Sequence, residues 1–246
     1  MDALSIAAAS GMRSRMQTLD LLANNLANAT TSGFKRDQEY YGLYHSEDSV
    51  DADGGGPSST LPNIERAWTD FSPGEIQVTG NQLNIALPGA GFFTVNGPSG
   101  PLYTRSGNLQ ILNGQLASAE GYPISNNGGG TIQIDPTKPI TIGADGTVQQ
   151  NGQTAGQIQV VNFKTTDSLR KTSGASFQNT NPKNQATPVA NPNVQQGKLE
   201  GSNVPVAEAA MKLVGVMRQF EMLQKAIGLS NDMDSKSISE VARVGG

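Results

Sequence analysis

Apolar residues recur at helical spacing at both ends of the chain and at strand spacing between them. Near the start, Ala8, Met12, Leu19, Leu22 and Leu26 fall three, four or seven residues apart, which predicts one face of an amphipathic helix. The run from Asn28 to Gly33 offers side chains that compete for backbone hydrogen bonds and a glycine that tolerates positive φ, so the helix is expected to stop there. Near the other end, Val206, Ala210, Leu213, Met217, Phe220 and Ile227 keep alternating spacings of four and three, with Gln224 as a polar break. Ser202 and Asn203 are candidate N-caps, and Pro205 suits a first helical turn. Beyond Gly228 the pattern weakens, although Ile238 and Val241 extend it.

Residues 74–165 alternate with period two: Leu83, Ile85 and Leu87; Leu109 and Ile111; Ile132 and Ile134; Ile140 and Ile142; Ile158 and Val160. Asn96-Gly97, Asn113-Gly114, Asp145-Gly146 and Asn151-Gly152 separate them, dipeptides suited to tight hairpins. Short strands so closely spaced predict an antiparallel sheet. The expected fold class is therefore α+β: terminal helices packed together as in a coiled coil, and a central antiparallel β domain. The expected divisions are an N-terminal helix over 1–32, an extended linker over 33–73, a β domain over 74–198 and a C-terminal helix over 199–246. The Ser, Asp, Gly and Pro of 46–62 read as a loop, and the Asn-, Gln- and Pro-rich 172–197 as an extended return path with few core contacts.

Composition narrows the chemistry. Only 36% of the 246 residues are hydrophobic and 5% aromatic, so the core is lean, while 29 glycines fit many turns. A net charge of −4 gives no reason to expect nucleic acid. The absence of cysteine removes disulfides and thiolate metal sites. Arg13, Arg15 and Asp20 interrupt the first thirty residues, which do not read as a secretory signal, and no run is long enough for a membrane span.

Candidate catalytic and cofactor groups are sparse. Gly89-Ala90-Gly91 lacks the third glycine of a dinucleotide fingerprint, and Gly54-Gly55-Gly56 and Gly128-Gly129-Gly130 lack the Lys-Ser/Thr of a phosphate loop. His45, the single histidine, is expected in a solvent-facing loop and cannot build a zinc site alone. Glu75, Glu120 and Asp145 could pair as glycosidase carboxylates, but each lies beside a glycine or in a turn signal. No cofactor, metal or catalytic residue is expected.

The run Asn24-Asn25-Leu26-Ala27-Asn28, followed by Thr31-Ser32-Gly33-Phe34-Lys35, resembles the N-terminal signature of the flagellar rod and hook protein family. Further blocks are similar to that family: Asp70 to Ile76; Thr79 to Leu87, with Asn84 at a usual aspartate; Gly91-Phe92-Phe93; and Tyr103 to Leu109. Near the end, Leu199-Glu200-Gly201-Ser202-Asn203-Val204 and Arg218-Gln219-Phe220-Glu221 complete the likeness. From about 125 to 195 only composition is shared.

The resemblance implies a structural subunit of the flagellar basal-body rod, polymerising through its terminal helices. Length points to the β-bearing rod proteins, and Phe220-Glu221-Met222 to the proximal over the distal kind. Implied partners are other rod and hook subunits, further copies of the chain and the flagellar type III export apparatus; the implied location is the periplasm-spanning rod, reached without a cleaved signal. The rival readings are a β-rich carbohydrate-active or cell-wall-binding domain and an adhesin-like surface protein.

Overall fold

The computed structural model describes residues 3–45 and 60–244. The chain divides into two compact units, one built on the terminal helices and one on the β region.

The first unit contains residues 3–26, 37–45, 60–68 and 205–244. Its helix α1 runs from Ala3–Ala27 and α2 from Val206–Val244, continuing unbroken through Gly228. The two helices touch: a Cβ placed on Gly11 would lie 3.5 Å from Leu223 Cδ1. Strands β1 (Asp37–His45) and β2 (Thr60–Thr69) pair as a two-stranded sheet. The expected linker 33–73 thus contains two strands, and His45 closes one of them; its side chain, and loop residues 46–59 with Gly54-Gly55-Gly56, lie outside the described part.

The second unit contains residues 27–36 and 69–204. Its strands are β3 (Ile76–Val78), β4 (Ile85–Ala86), β5 (Phe92–Gly97), β6 (Gly100–Thr104), β7 (Leu109–Leu112), β8 (Gln115–Ser118), β9 (Ile140–Ile142), β10 (Thr147–Gln150), β11 (Gln153–Gln157), β12 (Val160–Asn162), β13 (Leu169–Ser173), β14 (Ser176–Asn179), β15 (Thr187–Pro188), β16 (Gln195–Gln196) and β17 (Lys198–Glu200). A six-stranded sheet in the order β13-β14-β6-β5-β12-β15 is joined by the three-stranded β11-β10-β9 and the pairs β16-β4, β17-β3 and β7-β8. Every pairing among these strands is antiparallel, as expected.

Two of the four turn dipeptides make tight hairpins. Asn113 and Gly114 join β7 to β8, and Asn151 and Gly152 join β10 to β11, all four residues at positive φ. Asn96-Gly97 does not form its turn: Gly97 pairs with Gly100, so Pro98 and Ser99 take the corner. Asp145-Gly146 forms a wider loop in which Asp145 accepts hydrogen bonds from the amide and hydroxyl of Thr147.

Two apolar clusters fill this unit. The larger gathers Ile85, Leu87, Phe93, Leu116, Ile124 and Ile158; the smaller gathers Phe92, Tyr103, Phe163 and Phe177. Phe92 and Phe93 are neighbours on β5, so their side chains leave on opposite faces and each enters a different cluster. The expectation of few core contacts over 172–197 is corrected at three positions, since Ala175, Phe177 and Val194 are buried. Ile132 and Ile134 are buried as their spacing suggested, yet they lie outside any strand, next to Thr131 and Gln133, which form isolated bridges.

Candidate functional site

Three segments distant in sequence converge in the β unit: 28–36, 70–74 and 199–204. After α1, Asn28 turns the chain, its carbonyl accepting from the Thr31 amide and its carboxamide oxygen from the Thr31 hydroxyl. Gly33 follows at φ 69°. Its amide donates to the Glu200 carbonyl, and it packs flat on the Arg105–Ser106 backbone. Phe34 is buried, with Lys171 Nζ 4.0 Å above its ring, and the same ammonium donates to the Lys35 carbonyl.

Lys35 is wholly enclosed. Its ammonium donates to Glu200 Oε1 at 2.6 Å and to the Ser72 carbonyl at 2.8 Å. Glu200 Oε1 also accepts from the Gly74 amide, while Oε2 faces Arg105 Nη1 at 3.4 Å. Arg105 Nη1 further donates to the Leu87 carbonyl, and its guanidinium lies over the Phe92 ring. Burial lowers the pKa of Lys35 and of Arg105, and the charge of Glu200 opposes that shift in both. A carboxylate with two cationic partners and a backbone donor is the arrangement that makes such burial tolerable.

Asn203 ties the other two segments. Its Oδ1 accepts from the Arg36 amide at 2.7 Å, and its Nδ2 donates to the carbonyls of Asp70 and Ser72. Arg36 in turn pairs with Asp70 at 2.9 Å. Burial opposes ionisation of Asp70, but hydrogen bonds from Ser72 and Arg36 outweigh it and hold its carboxyl below the ordinary range. The expected capping role of Asn203 is therefore corrected: its side chain is committed elsewhere, and the carbonyl of Pro205 accepts the first helical bond, from Ala209. Ser202 Oγ accepts from the nearby Val204 amide, and Val204 is buried.

The helical unit has its own motif contact. Asn25, buried, exchanges two hydrogen bonds with Asp37, its Nδ2 donating to the carbonyl and its Oδ1 accepting from the amide. Its carboxamide thus completes the start of β1 as a neighbouring strand would. Asn24 and Ala27 are exposed. Ala8, Met12, Leu19, Leu22 and Leu26 are half-buried on α1.

On α2 the sheltered line is Ala209, Leu213, Val216, Phe220, Leu223 and Ile227, rotated from the expected stripe. Ala210, Leu213, Phe220 and Ile227 stay sheltered, whereas Val206 and Met217 are exposed, and Gln224 is no break because it faces outward. Arg218 and Glu221 are exposed. Also exposed on α2 are Met211, Val214, Met222, Leu229 and Met233, at 49–70% of their full accessibility.

Of the carboxylates weighed as glycosidase candidates, Glu75 is exposed and the other two serve local structure. Glu120 accepts from the Ser176 hydroxyl and the Ala175 amide, and Asp145 from Thr147. Gly91 leads into strand β5, so Gly89-Ala90-Gly91 opens no phosphate-binding helix. Among the described residues no cluster has the makings of a metal site, and no helix is long and apolar enough to cross a membrane.

In the sequence Lys35, Arg105 and Glu200 stand only as letters inside motifs. A charged residue within two positions of a glycine in a motif is the one available signal, and it does not name a partner.

Three family models match: "Flagella basal body rod protein" over residues 7–35, "Flagellar hook protein FlgE/F/G D1 domain" over 86–150 and "Flagellar basal body rod FlgEFG protein C-terminal" over 195–240. The chain is 30% identical to the flagellar basal-body rod protein FlgF of Caulobacter vibrioides, covering 92% of each. It is 32% identical to FlgF of Mesorhizobium japonicum, covering 82% of this chain and 83% of the relative, and 30% identical to the rod protein FlgG of Bacillus subtilis, covering 91% and 93%. The first and third family matches carry two of the three segments that meet around Lys35 and Glu200. This chain belongs to the flagellar basal-body rod proteins of the FlgF/FlgG type, and it is a structural subunit, not an enzyme.

Proposed function

We propose that the chain builds the rod by polymerising through its terminal helices, which pack against those of further copies and of neighbouring rod and hook subunits in a coiled-coil-like layer. The observation that carries this is the uncovered apolar surface of α2, formed by Met211, Val214, Met217, Met222, Leu229 and Met233. Large apolar side chains in such number on one helix mark an association surface, and methionine adapts to several partners. The sheltered line that includes Leu213 and Phe220 leaves this surface free, so one chain can hold both its own helix contact and another. Repetition of a single heterologous contact along a screw axis gives a filament.

The likeness to flagellar rod proteins supports export through the flagellum's own type III apparatus. Within the rod we assign the proximal position, on the strength of Phe220-Glu221-Met222; relatives named FlgF and FlgG are about equally similar. Met222→Asp supplies the test, because it charges the outer surface and spares the sheltered line. A variant that folds, is produced normally and yet leaves basal bodies without complete rods supports the proposal. Normal rods would overturn it. Complementation of strains lacking either rod protein decides the position.

A further inference from the structure

Lys35 and Glu200 stand 165 residues apart, yet they form one buried ion pair, and their segments share further anchors. The Gly33 amide donates to the Glu200 carbonyl, the Asn203 amide to the Phe34 carbonyl, and the Arg36 amide to Asn203 Oδ1. The 70–74 segment bonds to both: Ser72 to Lys35 and Asn203, Gly74 to Glu200. Neither outer segment therefore has a complete set of partners without the other.

We propose that Lys35, Glu200 and Arg105 form a two-ended latch, through which residues 28–36 and 199–204 dock in the β unit together and release together. The physical reason is the cost of half-opening. Withdrawal of 28–36 alone would remove the ammonium from Glu200, leaving it the Gly74 amide and a poor 3.4 Å contact with Arg105, and would take the donor from Asn203 Oδ1. Withdrawal of 199–204 alone would leave two buried cations, Lys35 and Arg105, with no carboxylate. An uncompensated buried charge is penalised far more than a fully open, hydrated one. The state with both segments free is thus the accessible opening. The main apolar cluster need not open with it, since neither segment supplies a member. Such a latch couples the chain's N-terminal and C-terminal segments energetically: whatever pulls on or binds one of them changes the affinity of the β unit for the other.

Hydrogen exchange on the full chain tests this. In the unaltered protein, amides of 33–36 and 200–203 should share one opening equilibrium, distinct from that of Phe93, Leu116 and Ile124, and respond together to low denaturant. Glu200→Gln keeps the shape and removes the charge. It should speed exchange in both segments by a common factor of roughly 100 to 1,000 while the cluster amides keep their rates. Opening of one segment without the other, equal acceleration throughout the β unit, or no change in either segment would each overturn the proposal. Should Glu200→Gln fail to fold, the denaturant response of the unaltered protein decides by itself, because independent openings there also refute the latch.

Discussion

A Cβ on Gly33 would collide with the amide nitrogen of Ser106. That relationship separates two demands that glycine can meet, a left-handed backbone and a close approach. Gly33 has φ 69° and Gly80 has φ 70°, but nothing lies within 4 Å of a Cβ on Gly80. Gly33→Ala should therefore destabilise the β unit by roughly 3–5 kcal/mol, since backbone must shift as well as strain. Gly80→Ala should cost about 1 kcal/mol, the dihedral penalty alone. Denaturant midpoints measure both; equal losses would show that the Ser106 contact is soft.

Asn203 and Ser202 are adjacent polar residues in the same motif with unequal duties. Asn203→Ala removes hydrogen bonds to the Arg36 amide and to the carbonyls of Asp70 and Ser72. The expected loss is about 2–4 kcal/mol, because buried partners are left unpaired. Ser202→Ala loses one local bond and should change stability by about 0.5 kcal/mol. Thermal or denaturant unfolding of the two variants is the check, and a reversed order would contradict the assignment.

Acid should weaken the β unit through three aspartates. Asp70, Asp135 and Asp145 all hold their protons less tightly when folded than the usual 3.8. For Asp135 the main causes are the hydrogen bonds from Lys138 and Thr137, and for Asp145 those from Thr147. The unfolded chain then binds protons first as pH falls. The stability these groups contribute is complete above the unfolded value and is lost as pH drops through the folded ones. Unfolding midpoints should decline from about pH 4 downward, and the decline should be shallower in a variant with all three changed to Asn. An unchanged slope in that variant would discount these carboxylates.

Leu213 and Met222 test the two faces of α2. Leu213 is half-buried and Met222 is 60% exposed. Leu213→Asp should disturb the helical unit of the isolated chain, reducing its helical circular dichroism, because a carboxylate loses water on the sheltered line. Met222→Asp should leave that signal within about 10% of the parent, as exposed substitutions usually do. Loss of helix in both would mean the exposed surface is already engaged within the monomer.

Glu120→Gln has a structural expectation. The carboxylate accepts from Ser176 Oγ at 2.6 Å and from the Ala175 amide at 3.3 Å. Glutamine keeps one acceptor oxygen, so the loss should be about 1 kcal/mol, with motility retained. Abolished motility at normal stability would reopen a chemical role.

Element type was legible where local periodicity and turn chemistry agree. The stop after Ala27, the tight turns at Asn113-Gly114 and Asn151-Gly152, and the burial of Ile85, Leu109, Ile140 and Val160 all follow from residues within a few positions of each other. The Asn96-Gly97 turn failed because Pro98 lies next to it, and fixed φ at Pro98 suits the corner of a turn. The rotated stripe on α2 had a similar origin. Alternating fours and threes can be laid on two neighbouring lines of one helix, and only packing against another helix selects Val216 and Leu223 over Met217 and Gln224.

What the sequence determined by itself was the division into helical ends and an antiparallel middle, and the family, because both are written in local patterns and motif strings. What only the tertiary structure decided was why those strings contain the residues they do. Gly33, Lys35, Arg105, Glu200 and Asn203 meet across separations that no local pattern encodes. An ion pair spanning 165 residues forms only when folding brings its two segments together, and spacing along a chain carries no record of that.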